Sequence, residues 1–439
     1  MPSALPDQLR RIVGAPHVLT GVECSPYVVE GRAPEAVVFP GSQEEVAAAV
    51  TLAAEQGLPV TPWGGGTKMW VGAPPSRIGL VLATKRLDRI LEHEPGDLTV
   101  TVEAGLTFDR LQAELGQRGQ WLSLDPPASD RATIGGILAS DASGPRRHLY
   151  GTARDLVIGL TVIGADGRAV RGGGKVVKNV AGYDLPKLYI GSFGTLGIVV
   201  EATFKLRPRA DVDRLVVARF DRLTDAGQGA RAVLGSDLIP SALELADGEA
   251  LRRLGLGGAA ALLVGLDGIA PQVDWQVDEL ERLLKSRGLV DQRVLDGDAR
   301  EETWRALGAL GRPGVDTVAA VMRWALLPMQ TADLMEAGAA AARRHGLGAA
   351  MTAHAGVGIV TAVLSGSADP GPVSATLEEW RSLVTAARGH AMVSWAPLAV
   401  KERVAVWDAP GPTLRLMRSI KERLDPRGIL NPGRFVGGI

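Results

Sequence analysis

Cysteine is nearly absent from this sequence, since Cys24 is the single cysteine in 439 residues. One cysteine cannot form a disulfide within the chain, and it cannot build a zinc or iron–sulfur site from cysteine ligands. We therefore expect the protein to work in a reducing compartment, the cytoplasm, and to fold without covalent cross-links.

A strong net charge and a long apolar run are also missing. The formal net charge is −1, so no basic field is available to recruit nucleic acid or anionic lipid. The apolar stretches at residues 259–266 and 317–328 are too short for a bilayer, and Arg323 interrupts the second. Residues 1–21 lack the apolar core of a signal peptide. We expect no nucleic-acid partner and no direct membrane insertion, so that any membrane association would come through a partner protein.

Glycine, by contrast, is abundant, with 55 residues in the chain. They follow no fixed period, which excludes collagen-like and solenoid repeats. Instead they cluster at particular bends. The length of the chain predicts two or three domains.

The first half of the chain alternates strand and helix signals. Strands are predicted at 37–39, 58–62, 79–83, 98–103 and 198–206, with a hairpin around residues 166–167. A capping box of Ser42 and Glu45 starts one helix, and Thr107 is predicted to cap another. This alternation predicts an α/β region. Residues 126–160 show no regular periodicity, which in a compact domain is typical of a functional stretch.

A polar, proline-containing bridge at residues 208–214 predicts a domain boundary. Beyond it, two β-α-β-β-α units within residues 215–284 and 317–386 predict an antiparallel sheet with helices on one face. A helix at 413–424 ends the pattern.

The glycine loop at residues 63–68 directly follows a predicted strand. Gly64, Gly65 and Gly66 have no side chains, so their successive N–H groups could form a concavity suited to a diphosphate. The loop is neither a Walker loop nor a Rossmann turn, because no Gly-Lys-Ser/Thr element and no following helix accompany it. A surface turn is the alternative for this loop.

Small-residue blocks at 133–136, 140–144 and 191–197, together with residues 178–185, could also approach a cofactor closely. The alternative for them is tight packing at a sheet corner.

Taken in order, these blocks resemble the FAD-binding domain of the vanillyl-alcohol oxidase type, also called the PCMH type, across about residues 30–208. Residues 145–147, 154–155, 178–185, 191–197 and 424–434 resemble, more narrowly, the FAD-binding subunits of bacterial glycolate oxidases. The resemblance implies an α+β protein in four parts: an N-terminal segment (1–29), a two-part FAD-binding domain (30–208), a cap domain (209–410), and a C-terminal helix and tail that return to the flavin domain (411–439).

The resemblance also implies FAD as the cofactor and assigns residues to it. The FAD pyrophosphate is assigned to Trp63, Gly64, Gly65, Gly66, Thr67 and Lys68. The flavin is assigned to Pro127, Thr133, Gly135, Gly136, Ser140 and Gly144, with Asn431 nearby, and the adenine side to Ile198 and Val199. Members with covalent flavin carry a His in the glycine loop. Thr67 and Lys68 stand there instead, which predicts noncovalent FAD.

One motif departs from the catalytic members of the superfamily, which carry a metal-binding His-x-Gly-Asp-Gly-Asn-x-His element. Here His354 remains, but Val357 replaces the acid and Thr361 the second His, and residues 394–396 stand where a later Glu-His-Gly element is expected. One imidazole cannot supply a metal site, so we expect no metal. His354 as a base and Arg323 as the carboxylate-binding cation are the candidate catalytic residues. The alternatives are a hydrogen-bonded histidine at a strand end and a packing arginine.

Three functional hypotheses remain. The first is the FAD-binding subunit of a glycolate oxidase-like complex, with a metal-bearing hydroxy-acid dehydrogenase subunit and an iron–sulfur subunit as separate chains. The second is a self-sufficient FAD-dependent dehydrogenase or oxidase of a small hydroxylated substrate. The third is a degenerate scaffold that no longer binds flavin.

Overall fold

The structure is a computed structural model, and it describes residues 4–174, 183–314, 318–367 and 369–439. The chain divides into two compact units. The first comprises Met1–Ser143, Thr152–Arg209 and Ala409–Ile439, and the second Gly144–Gly151 and Ala210–Asp408. The short segment Gly144–Gly151 therefore lies in the second unit, although the predicted domain limits assign it to the first.

The first unit begins with a small sheet of strand order β1-β2-β4-β3. Strands β2, β4 and β3 are parallel, and β1 pairs antiparallel with β2. The elements are α1 (Leu5–Val13), β1 (Val18–Thr20), β2 (Ala36–Val38), α2 (Gln43–Gln56), β3 (Val60–Trp63) and β4 (Leu80–Ala83).

Helix α2 starts where the sequence predicts it. The hydroxyl of Ser42 accepts the Glu45 amide at 3.2 Å, and the Glu45 carboxylate accepts the Gly41 amide at 2.6 Å. The helix buries Val46, Ala49, Val50 and Ala53 against the sheet. The same core contains Ile429 and Leu430, so the end of the chain is part of it.

The second part of the first unit is an antiparallel sheet of order β5-β6-β10-β8-β9, beside a two-stranded pair of β7 and β11. The strands are β5 (Ile90–Glu94), β6 (Thr99–Glu103), β7 (Gln120–Trp121), β8 (Val157–Ile163), β9 (Ala169–Gly173), β10 (Ile198–Lys205) and β11 (Arg207–Pro208). The helices along this stretch are α3 (Phe108–Gly116), α4 (Ile134–Ser140), α5 (Arg147–Tyr150), α6 (Ala153–Leu156) and α7 (Pro186–Tyr189), of which α5 belongs to the second unit.

Two local predictions in this part need correction. Thr107 precedes α3, but its side chain makes no capping hydrogen bond. Helix α4 lies in the stretch that shows no periodicity, because its glycines hide the pattern. The hydroxyl of Thr133 caps it by accepting the Gly136 amide at 3.3 Å, and it buries an apolar face of Ile134, Ile137 and Leu138.

The second unit is built on an eight-stranded antiparallel sheet of order β15-β12-β14-β13-β17-β18-β16-β19. Its strands are β12 (Val212–Phe220), β13 (Ala242–Asp247), β14 (Ala260–Gly268), β15 (Leu289–Leu295), β16 (Ala320–Ala325), β17 (Gly348–His354), β18 (Ile359–Ser365) and β19 (His390–Trp395). Its further helices are α8 (Leu223–Leu234), α9 (Gly248–Arg253), α10 (Ala270–Lys285), α11 (Gly297–Ala309), α12 (Thr331–Arg344), α13 (Pro370–Ala386) and α14 (Leu398–Lys401).

The strand order shows that the two predicted repeats are related by an approximate twofold axis between β13 and β17. Each repeat is a β-α-β-β-α-β unit, with one more strand than predicted, and the additional strands β15 and β19 form the two edges of the sheet. The four predicted helices, α8, α10, α12 and α13, lie on one face, where Trp380 of α13 packs edge-on against Trp324 of β16. The shorter α9 and α11 contact the other face.

Asp247 joins the two halves of this sheet at the end of β13. Its carboxylate accepts the Ala250 amide at 2.7 Å, which caps α9, and the Met351 amide of β17 at 3.0 Å. Burial raises the pKa of Asp247 to about 6 despite these two bonds.

We expect the contribution of Asp247 to the free energy of unfolding to decrease as pH rises. Between its ordinary pKa of 3.8 and about 6, the folded state binds more protons than the unfolded state, so stability falls across this interval. Asp247→Asn removes the titration. The free energy of unfolding of the wild type, minus that of the variant, should therefore decrease from pH 4 to pH 6. Urea unfolding at a series of pH values measures it, and a difference that does not vary with pH would contradict this account.

Within the part of the chain that the structure describes, none of the helices combines the length and apolar character that crossing a bilayer requires.

Candidate functional site

The glycine bends at residues 64–66, 135–136 and 194–197 line one cleft in the first unit. The loop after β3 forms one wall, α4 lies beside it, and the turn before β10 forms a second wall. The lining residues are Pro62, Trp63, Gly64, Gly65, Gly66, Thr67, Lys68, Met69, Thr84, Gly135, Gly136, Ala139, Ser140, Phe193, Gly194, Gly197, Ile198, Val199, Asn431 and Arg434.

Glycine is required where the first loop meets residues 131–136. A Cβ atom on Gly64 would lie 2.1 Å from Thr133 Oγ1, and one on Gly65 would lie 1.7 Å from the Arg131 carbonyl oxygen. Both distances are far below any real contact. The loop backbone therefore rests directly on the segment that leads into α4, at a separation that no other residue type permits.

The charge of the lining residues matches an anionic ligand. Lys68 and Arg434 are both in the lining set, which contains no Asp or Glu. Two cations and a glycine loop without side chains suit the diphosphate of a dinucleotide.

Asn431 contributes a polar atom that lacks a hydrogen-bond partner among the described residues. Its amide nitrogen donates to the Phe193 carbonyl at 2.7 Å, which sets the orientation of the side chain. Its Oδ1 is buried and has no hydrogen-bond partner, although the residue lines the cleft. A buried acceptor of this kind is satisfied by a bound molecule that carries N–H or O–H groups, as FAD does.

The cleft brings together most of the predicted cofactor residues. The lining set includes every residue from Trp63 to Lys68, together with Gly135, Gly136, Ser140, Ile198, Val199 and Asn431. It does not include Pro127, Thr133 or Gly144. Thr133 instead caps α4 and contacts Gly64, and Gly144 lies in the second unit. Residues 178–182 of the predicted block at 178–185 lie outside the described residues.

Several lining residues were not predicted as site residues. Phe193, Gly194 and Gly197 belong to the glycine block at 191–197, so the sequence did carry a signal for them. Arg434 is the last residue of the C-terminal motif at 424–434. Met69 directly follows the glycine loop, and Ala139 lies in the aperiodic stretch at 126–160. Thr84 carried no sequence signal, since only the fold brings it to the cleft.

In the second unit, His354 forms a buried pair with a carboxylate. His354 ends β17 and lies opposite Glu244 of β13, and its Nδ1 is 2.6 Å from Glu244 Oε1. The Glu244 side chain is only 2% exposed. A carboxylate on Nδ1 selects the tautomer in which that nitrogen carries the proton, so Nε2 is left as the basic nitrogen.

Arg323 lies on the same face of this sheet. It is half-buried on β16 and pairs across the sheet with Thr361, which in turn pairs with Thr352. Since alternate residues share a face, His354 is on this face two positions beyond Thr352. Thr361, which replaces the second metal-binding His, thus lies directly opposite Arg323.

The segment Gly144–Gly151 is anchored in the second unit by charge. The Arg146 guanidinium forms ion pairs with Asp213 and, at 2.9 Å, with Asp267, which also accepts the Tyr150 hydroxyl at 2.7 Å. Next to it, the His148 imidazole packs against Gly356, where a Cβ atom would lie 2.2 Å from His148 Nδ1. Burial lowers the pKa of His148, which favours its neutral form.

Among the described residues, no group of three or more His, Cys, Asp or Glu side chains is placed to hold a metal ion.

The fold and the cleft define a two-unit flavoprotein, and comparison with known proteins assigns its family. Residues 34–173 match the family model of the FAD binding domain, and residues 209–435 match that of the FAD linked oxidases, C-terminal domain. The chain belongs to the FAD-linked oxidases, and it is an FAD-dependent oxidoreductase.

Several relatives are named for hydroxy acids. The glycolate oxidase subunit GlcD of Bacillus subtilis is 31% identical over 92% of this chain and 89% of its own length. A D-lactate dehydrogenase of Archaeoglobus fulgidus is 29% identical over 98% of both chains. A D-2-hydroxyglutarate dehydrogenase of Xanthomonas citri is 39% identical over 46% of this chain and 43% of its own length.

Solved structures confirm the predicted PCMH-type fold. A p-cresol methylhydroxylase with substrate bound superposes with a TM-score of 0.77 at 19% identity, covering 98% of this chain and 95% of the other. An alkyldihydroxyacetonephosphate synthase gives 0.76 at 18% identity, covering 99% and 87%.

We expect Gly65→Ala to weaken FAD binding by at least about tenfold, because its methyl group must push the loop away from residue 131 at an overpacking cost of about 1–3 kcal/mol. Gly96→Ala is the matched control, since nothing lies within 4 Å of the Cβ position at Gly96. Titration of the apoprotein with FAD, followed by flavin fluorescence, measures both. Equal affinity in the two variants would show that the loop does not contact the cofactor.

Proposed function

We propose that this chain is the FAD-binding subunit of a glycolate oxidase-like complex that oxidises a 2-hydroxy acid in the cytoplasm. The convergence of the three glycine bends on one cationic cleft carries the proposal. The relatives named for glycolate, D-lactate and D-2-hydroxyglutarate support the substrate class.

In this proposal the residues of the first unit hold the cofactor and exclude water from it. The glycine loop and Lys68 bind the diphosphate, and Asn431 Oδ1 accepts a hydrogen bond from the cofactor. Bound FAD supplies the acceptor for a hydride and passes electrons on.

The proposed partner subunits would supply the metal and iron–sulfur groups for which this chain lacks ligands. Cys24 is its only cysteine, and Val357 and Thr361 stand where metal ligands are expected. An iron–sulfur subunit and a metal-bearing hydroxy-acid dehydrogenase subunit would then be separate chains, and this chain would connect them by electron transfer.

The FAD is proposed to be bound without a covalent link, because Thr67 and Lys68 offer no imidazole to the flavin ring. We expect acid denaturation to release all the yellow colour into the supernatant. Flavin fluorescence that stays with the precipitated or gel-separated polypeptide would contradict this proposal, while leaving the FAD site itself in place.

A second candidate function is a self-sufficient 2-hydroxy-acid dehydrogenase, and the pair of His354 and Glu244 favours it. An imidazole whose Nδ1 is held by a buried carboxylate can take the substrate hydroxyl proton at Nε2. Arg323, on the same sheet face, would bind the substrate carboxylate. No metal is needed for this arrangement.

Anaerobic titration of the purified chain with glycolate, D-lactate and D-2-hydroxyglutarate, read as bleaching of the flavin, separates the two functions. The complex predicts little reduction of the isolated chain, full reduction after the partner subunits are added, and no dependence on His354. The self-sufficient enzyme predicts direct reduction that slows about 10²–10⁴-fold in His354→Gln and in Glu244→Gln.

His345→Gln is the matched control for this experiment. His345 is paired with Glu379 at 2.9 Å in the same unit, but it directly follows α12 and Glu379 lies on α13, so neither is on the sheet face. Its replacement should leave flavin reduction within about twofold of wild type. Failure of all three acids to reduce the flavin, even with partner subunits present, would contradict both functions.

A further inference from the structure

After the second unit, the chain returns to the first unit at residue 409. Helix α15 (Leu414–Leu424) and the residues after it pack there, and Asn431 and Arg434 reach the cleft. Two buried cations in this segment, Lys421 and Arg434, bind backbone oxygens of the two walls of the cleft.

Lys421 holds the wall at residues 193–198. Its ammonium group donates to the Thr195 carbonyl at 2.7 Å, to Asp425 Oδ2 at 2.6 Å and to the Leu430 carbonyl at 2.9 Å. Asp425 in turn accepts the amides of Ile429 and Leu430 at 3.0 and 2.8 Å. All three donors of the ammonium are thereby used, and they join the glycine block to the tail.

Arg434 holds the wall that continues from the glycine loop. Its guanidinium donates to the carbonyls of Met69, Val71 and Ala73 at 2.5, 2.5 and 2.7 Å, and Met69 itself lines the cleft. The residue is only 2% exposed, and burial lowers the pKa of Arg434 to about 10.

The residues between the two cations connect the tail to the strand that leads into the glycine loop. The Val60 amide donates to the Ile429 carbonyl at 2.8 Å, and the Asn431 amide donates to the Val60 carbonyl at 2.9 Å. The Asn431 side chain reaches Phe193 on the other wall. Residues 421–434 thus bond to both walls and to β3.

Burying a cation is unfavourable unless its hydrogen bonds are satisfied, and an apolar side chain of similar size packs into a core at lower cost. Lys421 and Arg434 place most of their hydrogen bonds on backbone carbonyls, and those of Thr195, Met69, Val71 and Ala73 lie in loops outside the named strands. Their role is therefore to position the loops.

We propose that Lys421, Arg434 and the backbone of residues 429–431 between them form a C-terminal clamp that sets the spacing of the two cleft walls, so that retention of FAD depends on this clamp. Lys421 and Arg434 are positioning residues in this clamp. FAD would then be acquired only after the second unit and the tail have been synthesised. The clamp concerns cofactor retention and is independent of which hydroxy acid is oxidised.

Variants of the full-length chain test the clamp. One variant is Arg434→Met. The other combines Lys421→Met with Asp425→Asn, so that no buried carboxylate loses its counterion. We expect each variant to raise the FAD dissociation constant at least about tenfold, because the walls are no longer preorganised. Arg427→Met is the control. Arg427 lies in the same segment, is exposed, and bonds to the Ala54 carbonyl of α2, which is not a cleft wall.

Two readouts separate positioning from general stability. First, urea unfolding must show that each apoprotein is folded at the titration temperature. Second, the visible circular dichroism of FAD at saturation must change in the clamp variants but not in Arg427→Met. Dissociation constants and spectra within about twofold of wild type for both clamp variants would overturn the proposal.

If a clamp variant does not fold, the wild-type protein still decides the question. Ligand binding stabilises the elements it depends on, so FAD should slow amide exchange of Ile429, Leu430 and Asn431 at least about tenfold relative to the apoprotein. Equal exchange rates at these amides with and without FAD would overturn the clamp.

Discussion

The structure of the cofactor cleft depends on one steric constraint, which is the approach of the glycine loop to the segment before α4. Gly64 and Gly65 lie so close to residues 131–133 that a Cβ atom at either position would overlap an oxygen atom. This contact fixes the position of the loop, which lines the cleft together with Asn431 and the turn before β10.

Much of the fold could be predicted from the sequence because its helices and central strands are buried on a regular period. The four long helices of the second unit and the inner strands of its sheet are of this kind. The edge strands β15 and β19 were missed because an edge strand pairs on one side only. In β15 most side chains are exposed, so no apolar alternation marks it. Helix α4 was missed for a different reason, since its glycines disfavour the helix that Thr133 and the apolar face stabilise.

Most residues of the predicted cofactor site line the cleft, and the sequence could indicate them because a bend without side chains leaves glycines in it. Contacts between residues that are far apart in the sequence were harder to predict. Arg434 contacts carbonyls more than 360 positions earlier in the chain, and Glu244 meets His354 across 110 positions. Such contacts are set by the strand order and the return of the tail, which have no local signature. The sequence also does not show that Arg146 pairs with Asp213 and Asp267, and that residues 144–151, which include Gly144, belong to the second unit.

The candidate cofactor cleft lies in the first unit, and the imidazole of His354, paired with Glu244, lies in the second. The most direct measurement of the central claim is an experimental structure of the protein purified with its own flavin. The account predicts the diphosphate of FAD against residues 63–68, with residues 193–198 and Asn431 on the opposite side of the same cofactor. A flavin bound elsewhere, or a cleft with these bends turned away from the cofactor, would contradict it.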